Sequence, residues 1–74
     1  MQKEKINITT EYIKLDQLLK FSGLAENGAD AKDMVLSEMC EVNGEMCLMR
    51  GKKIRTGDKV TVYFEDETVV IEVE

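Results

Sequence analysis

The apolar residues of this chain change their spacing once, near Met39, and that change limits what the chain can fold into. Before it they recur at helical intervals. Leu15, Leu18 and Leu19 fall at i, i+3 and i+4, and Ala31, Val35, Leu36 and Met39 fall at i, i+4, i+5 and i+8. After it they alternate. Val60, Val62 and Phe64 are separated by Thr61 and Tyr63, and Val69, Ile71 and Val73 repeat the pattern beyond the acidic stretch Glu65-Asp66-Glu67. A length of 74 residues leaves room for one domain, 1–74, with a thin core. Helical segments followed by alternating ones predict an α+β domain, two short helices packed on a small antiparallel sheet.

The segment ends carry their own signals. Residues 6–9 alternate and predict a short edge strand. The first helix is expected within Ile13–Phe21. Asp16 lies in its first turn, where the helix dipole favours an anion, and Gly23 serves as a left-handed stop. Asn27 is the expected N-cap of the second helix, with Asp30 in the first turn. Asn43-Gly44 supplies both positive φ values of a type I′ hairpin turn. Val42 then pairs with Glu45, Glu41 with Met46, and Cys40 with Cys47, so the two thiols face each other. Residues 50–58 are expected to form an extended basic loop that ends in a turn.

What the chain lacks excludes whole classes of function. It has no histidine, which removes the commonest general base and the commonest zinc ligand. Two cysteines cannot complete a zinc site, and no Walker or Rossmann glycine loop is present. The expectation is a protein that is not an enzyme and uses no cofactor or metal. No apolar run approaches the roughly 18–20 residues of a membrane span, and Ile6–Thr9 is too short and polar for a signal-peptide core. A cytoplasmic protein with no membrane partner and reduced cysteines is expected. Phe21 and Phe64 are assigned to the core, and Tyr12 and Tyr63 to amphipathic packing. The five methionines, Met1, Met34, Met39, Met46 and Met49, are assigned as core fillers. With its aromatics so used, the chain is not expected to read single-stranded bases by stacking.

The net charge of −5 argues against a polyanion as partner, but its distribution argues otherwise. Residues 50–59 hold Arg50, Lys52, Lys53, Arg55 and Lys59 against Asp58 alone, a local +4, whereas residues 60–74 hold five acids and no base. Charges beyond a Debye length of about 8 Å are largely screened in physiological salt, so a phosphate on the loop responds to the local patch.

One ordered set of motifs points to a family. Ile13-Lys14-Leu15-Asp16-Gln17-Leu18-Leu19-Lys20-Phe21-Ser22-Gly23-Leu24-Ala25 resembles the opening helix of the S4 RNA-binding domain, with its basic residue, leucine and aspartate at the start and its Gly-Leu close. Gly28-Ala29-Asp30-Ala31-Lys32 resembles the start of that family's second helix. Val42-Asn43-Gly44-Glu45 resembles its hairpin turn, and Arg50 to Arg55 with Gly57-Asp58 resembles its basic loop. The likeness covers about residues 12–64, and the small stand-alone bacterial form is the nearest in kind. It implies the S4-like αL fold, with two helices on a small bent antiparallel sheet. It also implies binding to structured RNA, ribosomal RNA or a ribosomal particle with its proteins, by a monomer. The residues it assigns to RNA are Lys14, Lys32, Arg50, Lys52, Lys53 and Arg55, with the helix N-termini beside the loop adding free N–H groups. Three positions depart from the pattern. Gly28 stands where an arginine is common, Ser37–Cys40 lacks the usual glycine before the strand, and Thr56 replaces a frequent proline. The competing reading is a protein-interaction module that keeps the S4 fold, motivated by the overall acidity and by Gly28.

Overall fold

The first helix buries the marked face, Leu15, Leu18 and Leu19, whereas the second buries Ala31 and Val35 with Met34 and leaves Leu36, expected on that face, exposed, because Leu36 lies about 140° round from Ala31. In the computed structural model, which describes residues 2–74, α1 runs Leu15–Phe21 and α2 runs Gly28–Leu36. The strands are β1 (Gln2–Ile6), β2 (Ile13–Lys14), β3 (Cys40–Val42), β4 (Glu45–Met46), β5 (Lys53–Ile54), β6 (Lys59–Tyr63) and β7 (Thr68–Val73). Five of them form one sheet in the order β1-β7-β6-β3-β4, and β2 pairs with β5 as a separate antiparallel ribbon.

Alternation decides which side of the sheet meets the helices. Val42 pairs with Val60, Val60 with Ile71, Cys40 with Val62, and Val62 with Val69, so these six residues share the inner face. They form a single buried core with Leu15, Leu18 and Leu19 of α1, Ala31, Met34 and Val35 of α2, and Ile54 of the ribbon. The outer face carries Glu41, Thr61 and Tyr63, and the Tyr63 hydroxyl donates to Glu41 Oε1 at 2.8 Å. That bond, made by the protonated phenol, raises the Tyr63 pKa. Among the described residues no helix is long and apolar enough to cross a membrane.

The sheet is mixed, where an antiparallel one was expected. β1 runs parallel to β7, from Gln2 opposite Val69 to Ile6 opposite Val73. The first strand is therefore Gln2–Ile6, earlier than the 6–9 alternation suggests, although it does lie at an edge. The Glu74 N–H donates to the Ile6 carbonyl, and the Ile8 N–H donates to the Glu74 carbonyl, before the chain leaves the sheet. Ile13 and Lys14 are likewise strand and not helix, because β5 pairs with them.

Both helices end in the same hydrogen-bond motif but with different residues. At the end of α1 the Leu24 N–H donates to the Leu19 carbonyl and the Gly23 N–H to the Lys20 carbonyl, with Gly23 at φ 84°. At the end of α2 the Met39 N–H donates to the Met34 carbonyl and the Glu38 N–H to the Val35 carbonyl. Glu38 takes φ 64° there, so a side chain occupies a left-handed position that favours glycine. The missing glycine of the 37–40 stretch is thus a real departure in backbone energy.

The β3–β4 hairpin follows the expected register. Val42 pairs with Glu45 and Glu41 with Met46, Asn43 and Gly44 have φ 53° and 87°, and the Cys47 N–H donates to the Cys40 carbonyl. Both cysteines are free. Met34 is buried and Met39 half-buried, but Met46 and Met49 are exposed, which corrects their assignment to the core. Met46 lies opposite outward-facing Glu41, so register alone turns it to solvent. Met1 lies outside the described residues. Phe64 packs against the core as expected, whereas Phe21 is 67% exposed. Phe21 is six residues beyond Leu15, about 240° round a helix of 3.6 residues per turn, and so falls off the leucine face.

Candidate nucleic-acid interface

The β2–β5 ribbon turns one pair of side chains inward and one pair outward. Ile13 pairs with Ile54, which is wholly buried, and Lys14 pairs with Lys53, both exposed. Directly opposed residues of an antiparallel pair have Cβ atoms about 4.5–5.5 Å apart and project from the same face, so two ammonium groups share one small surface. Like charges in that position destabilise a sheet. Lys53 gains a partial offset: its Nζ lies 5.0 Å from the centroid of the Tyr12 ring, within cation–π range.

The loop that carries the other cations is bolted to the start of α1. The Leu15 N–H donates to the Lys52 carbonyl at 2.9 Å, and the Asp16 N–H donates to the Arg50 carbonyl at 3.0 Å. The Gln17 N–H donates to Asp16 Oδ1 at 2.8 Å. The opening N–H groups of α1 are therefore satisfied within the protein, which corrects the expectation that they bind an anion. What they do instead is position Arg50 and Lys52 beside Lys14 and Lys53. At α2 the Asn27 side chain accepts from the Asp30 N–H at 2.9 Å, as the cap predicts.

The far end of the loop is fixed by one carboxylate. Asp58 Oδ2 accepts from the Arg55 N–H at 2.8 Å, and Asp58 Oδ1 accepts from Asn43 Nδ2 at 3.0 Å. Asn43 Oδ1 in turn accepts from the Lys59 N–H at 2.9 Å. The Asp58 N–H donates back to the Arg55 carbonyl, closing a turn with Gly57 at φ 97°. The bond from the Arg55 N–H is the main cause that lowers the Asp58 pKa; the Asn43 amide and the charges of Arg55 and Lys52 act in the same direction, against a smaller rise from burial. The β3–β4 turn and the basic loop are thus held together by side chains from both.

Four of the six cations assigned to RNA, Lys14, Arg50, Lys52 and Lys53, meet at the ribbon and its loop. Arg55 lines a neighbouring groove of about 580 Å³ with Lys52 and Lys53, whose lining also includes the exposed Met46, Leu48 and Met49. Lys32 stands apart, exposed on α2, with no hydrogen bond to the loop among the described residues. None of the six lies within ion-pair distance of a carboxylate among the described residues, where the one ion pair is Lys5 with Glu74 at 3.8 Å.

Among the described residues no group of three His, Cys, Asp or Glu could hold a metal. Burial and the neighbouring Cys47 push the Cys40 thiol up to about 11, so it stays protonated at neutral pH. Tyr12, Gln17 and Phe21 line a cleft next to these cations, and none of the three was assigned to RNA from the sequence.

Two comparisons bear on this arrangement. A sequence model of the S4 domain matches residues 6–72. Among solved structures, the trimeric Vibrio cholerae heat shock protein 15 is similar in fold, with a TM-score of 0.71 at 20% identity, over 81% of this chain and 60% of that one. The chain thus spans about 60% of the length of that protein. No curated protein matches in sequence.

Proposed function

The chain belongs to the S4 domain family, whose members bind RNA, and we propose that it is a non-catalytic protein that grips structured RNA, with ribosomal RNA or a ribosomal particle as the target class. The observation that carries this reading is the Lys14–Lys53 pair. A fold that opposes two like charges, leaves them without carboxylate partners among the described residues, and fastens Arg50 and Lys52 beside them holds a site for an anion larger than one phosphate. Backbone phosphates and 2′-hydroxyls of a folded RNA fit such a surface, which reads shape more than sequence. The chain acts as a monomer in this reading.

Binding to ribosomal particles across a salt series tests it. Five phosphate contacts give a slope of about −4 to −5 in log affinity against log salt. Lys52→Glu with Lys53→Glu should abolish most of the binding; unchanged binding would show that the face is wrong. The protein-interaction reading has one observation in its favour, the exposed Met46, Leu48 and Met49 wall beside the cations. A partner that survives nuclease treatment would support it.

A further inference from the structure

Phe21 closes α1 with its ring two-thirds exposed, at the wall of a cleft of about 670 Å³. Tyr12, Ile8 and Ile13 form the rest of the apolar lining, and Asn7, Gln17 and Lys20 are among its polar residues. That volume is within the range of small-ligand sites, about 300–1,000 Å³. The cleft is not isolated from the cations. Lys14 is the N-cap of α1 and Phe21 its last residue, so Phe21 is roughly 9 Å along the helix axis from Leu15, the residue after Lys14. Tyr12 belongs to both places, since it lines the cleft and also carries Lys53 over its ring.

We propose that this cleft receives one unpaired base of an RNA whose backbone lies on the Lys14–Lys53 ribbon. The inference rests on the RNA-binding reading above. A base needs an apolar slot and a π-face, which Ile8, Ile13 and Phe21 provide. Its edge needs donors and acceptors, and the exposed amides of Asn7 and Gln17 have both. The flanking phosphates need cations nearby: Lys20 lines the cleft, and Lys53 lies over the ring of Tyr12, which also lines it. An apolar side chain of a protein partner would use the slot but not the cations beside it.

Two RNA hairpins with the same stem test this, one fully paired and one with a single 2-aminopurine bulge, whose fluorescence falls when it stacks. The protein is expected to prefer the bulged hairpin by roughly 5- to 140-fold, the range one stacked base confers, and to quench the probe. Phe21→Leu keeps apolar bulk, and should lose both the preference and the quenching while keeping affinity for the paired stem. Phe21→Tyr keeps the π-face and should retain both. Because the ring is exposed, the thermal midpoint should hold in each variant. Equal, salt-sensitive binding to the two hairpins overturns the base cleft and leaves the RNA reading standing. Binding to neither overturns both, and an equal loss on both hairpins in Phe21→Leu overturns the cleft.

Discussion

The β2–β5 ribbon and the β6–β7 hairpin are built on one plan and charged on opposite plans. Each presents an apolar face inward, Ile13 with Ile54 in the first, and Val60 with Ile71 and Val62 with Val69 in the second. On the hairpin the charges that face each other differ in sign: Lys59 pairs with Glu72, which pairs with Lys5 of β1. On the ribbon Lys14 faces Lys53. Opposite charges across strands stabilise by a few tenths to about 1 kcal/mol, and like charges destabilise. The hairpin's charges thus serve folding, whereas the ribbon's work against it, a cost that the proposed RNA contact would account for.

The comparison breaks most visibly in binding. Reversing Lys52 and Lys53 removes two phosphate contacts and adds two repulsions. An affinity loss on the order of 100-fold and a salt slope shallower by about 2 are expected, read by filter binding or anisotropy at several salt concentrations. Replacing Glu65, Asp66 and Glu67 with glutamine should change affinity little at physiological salt and more at low salt, where screening fails.

Next in size is the clamp that keeps the two regions in register. Asp58→Ala removes the acceptor for the Arg55 N–H and for Asn43 Nδ2, and a loss of about 1–2 kcal/mol is expected in urea unfolding. Asp58→Asn separates the charge from the shape. The folded-state pKa of Asp58 lies below its ordinary value of 3.8. Its contribution is therefore full above that value and is lost as pH falls through the lowered one. The pH-dependent part of the difference between the protein and Asp58→Asn should be present at pH 7 and shrink below about pH 4. Of this clamp, the sequence showed the Asn-Gly turn and the closing Gly-Asp, each a local signal. That Asn43 and Asp58 would meet was not legible, because the bond joins residues 15 apart and only strand pairing sets it. The same limit hid the sealing of α1: a helix start looks open until the Lys52 and Arg50 carbonyls arrive from elsewhere in the chain. Local chemistry was read well at Asn27 and Gly23, where cap and stop lie within one segment. It failed at Phe21 through an angular miscount, and at β1 because a parallel partner leaves no mark in the alternation.

The two helix ends give a smaller effect. Gly23 and Glu38 fill the same left-handed position, and only one of them does so without steric strain. An L residue there costs about 1–2 kcal/mol, and glycine returns roughly 0.5–1 kcal/mol of that in chain entropy. Glu38→Gly should therefore stabilise by about 0.5–1 kcal/mol, and it also removes a carboxylate from the negative end of α2. Gly23→Ala should cost about 1 kcal/mol by the same logic in reverse. A thermal melt that moves both variants in one direction would refute the equivalence of the two ends.

The smallest effect bears most directly on the contrast between ribbon and hairpin. Lys14→Glu converts the ribbon into an oppositely charged pair with Lys53 and places an anion at the N-cap of α1, where the dipole favours it. Stability should rise by a few tenths to about 1 kcal/mol while RNA affinity falls. Glu72→Lys makes the reverse change on the hairpin, setting three cations in a row across β1, β7 and β6. Stability should fall by a similar amount, with no loss of RNA affinity. The two variants therefore move folding and binding in opposite senses. If Lys14→Glu lowered both, the lysine would be part of the ribbon's packing, and the opposed pair would no longer point to an anion outside the protein.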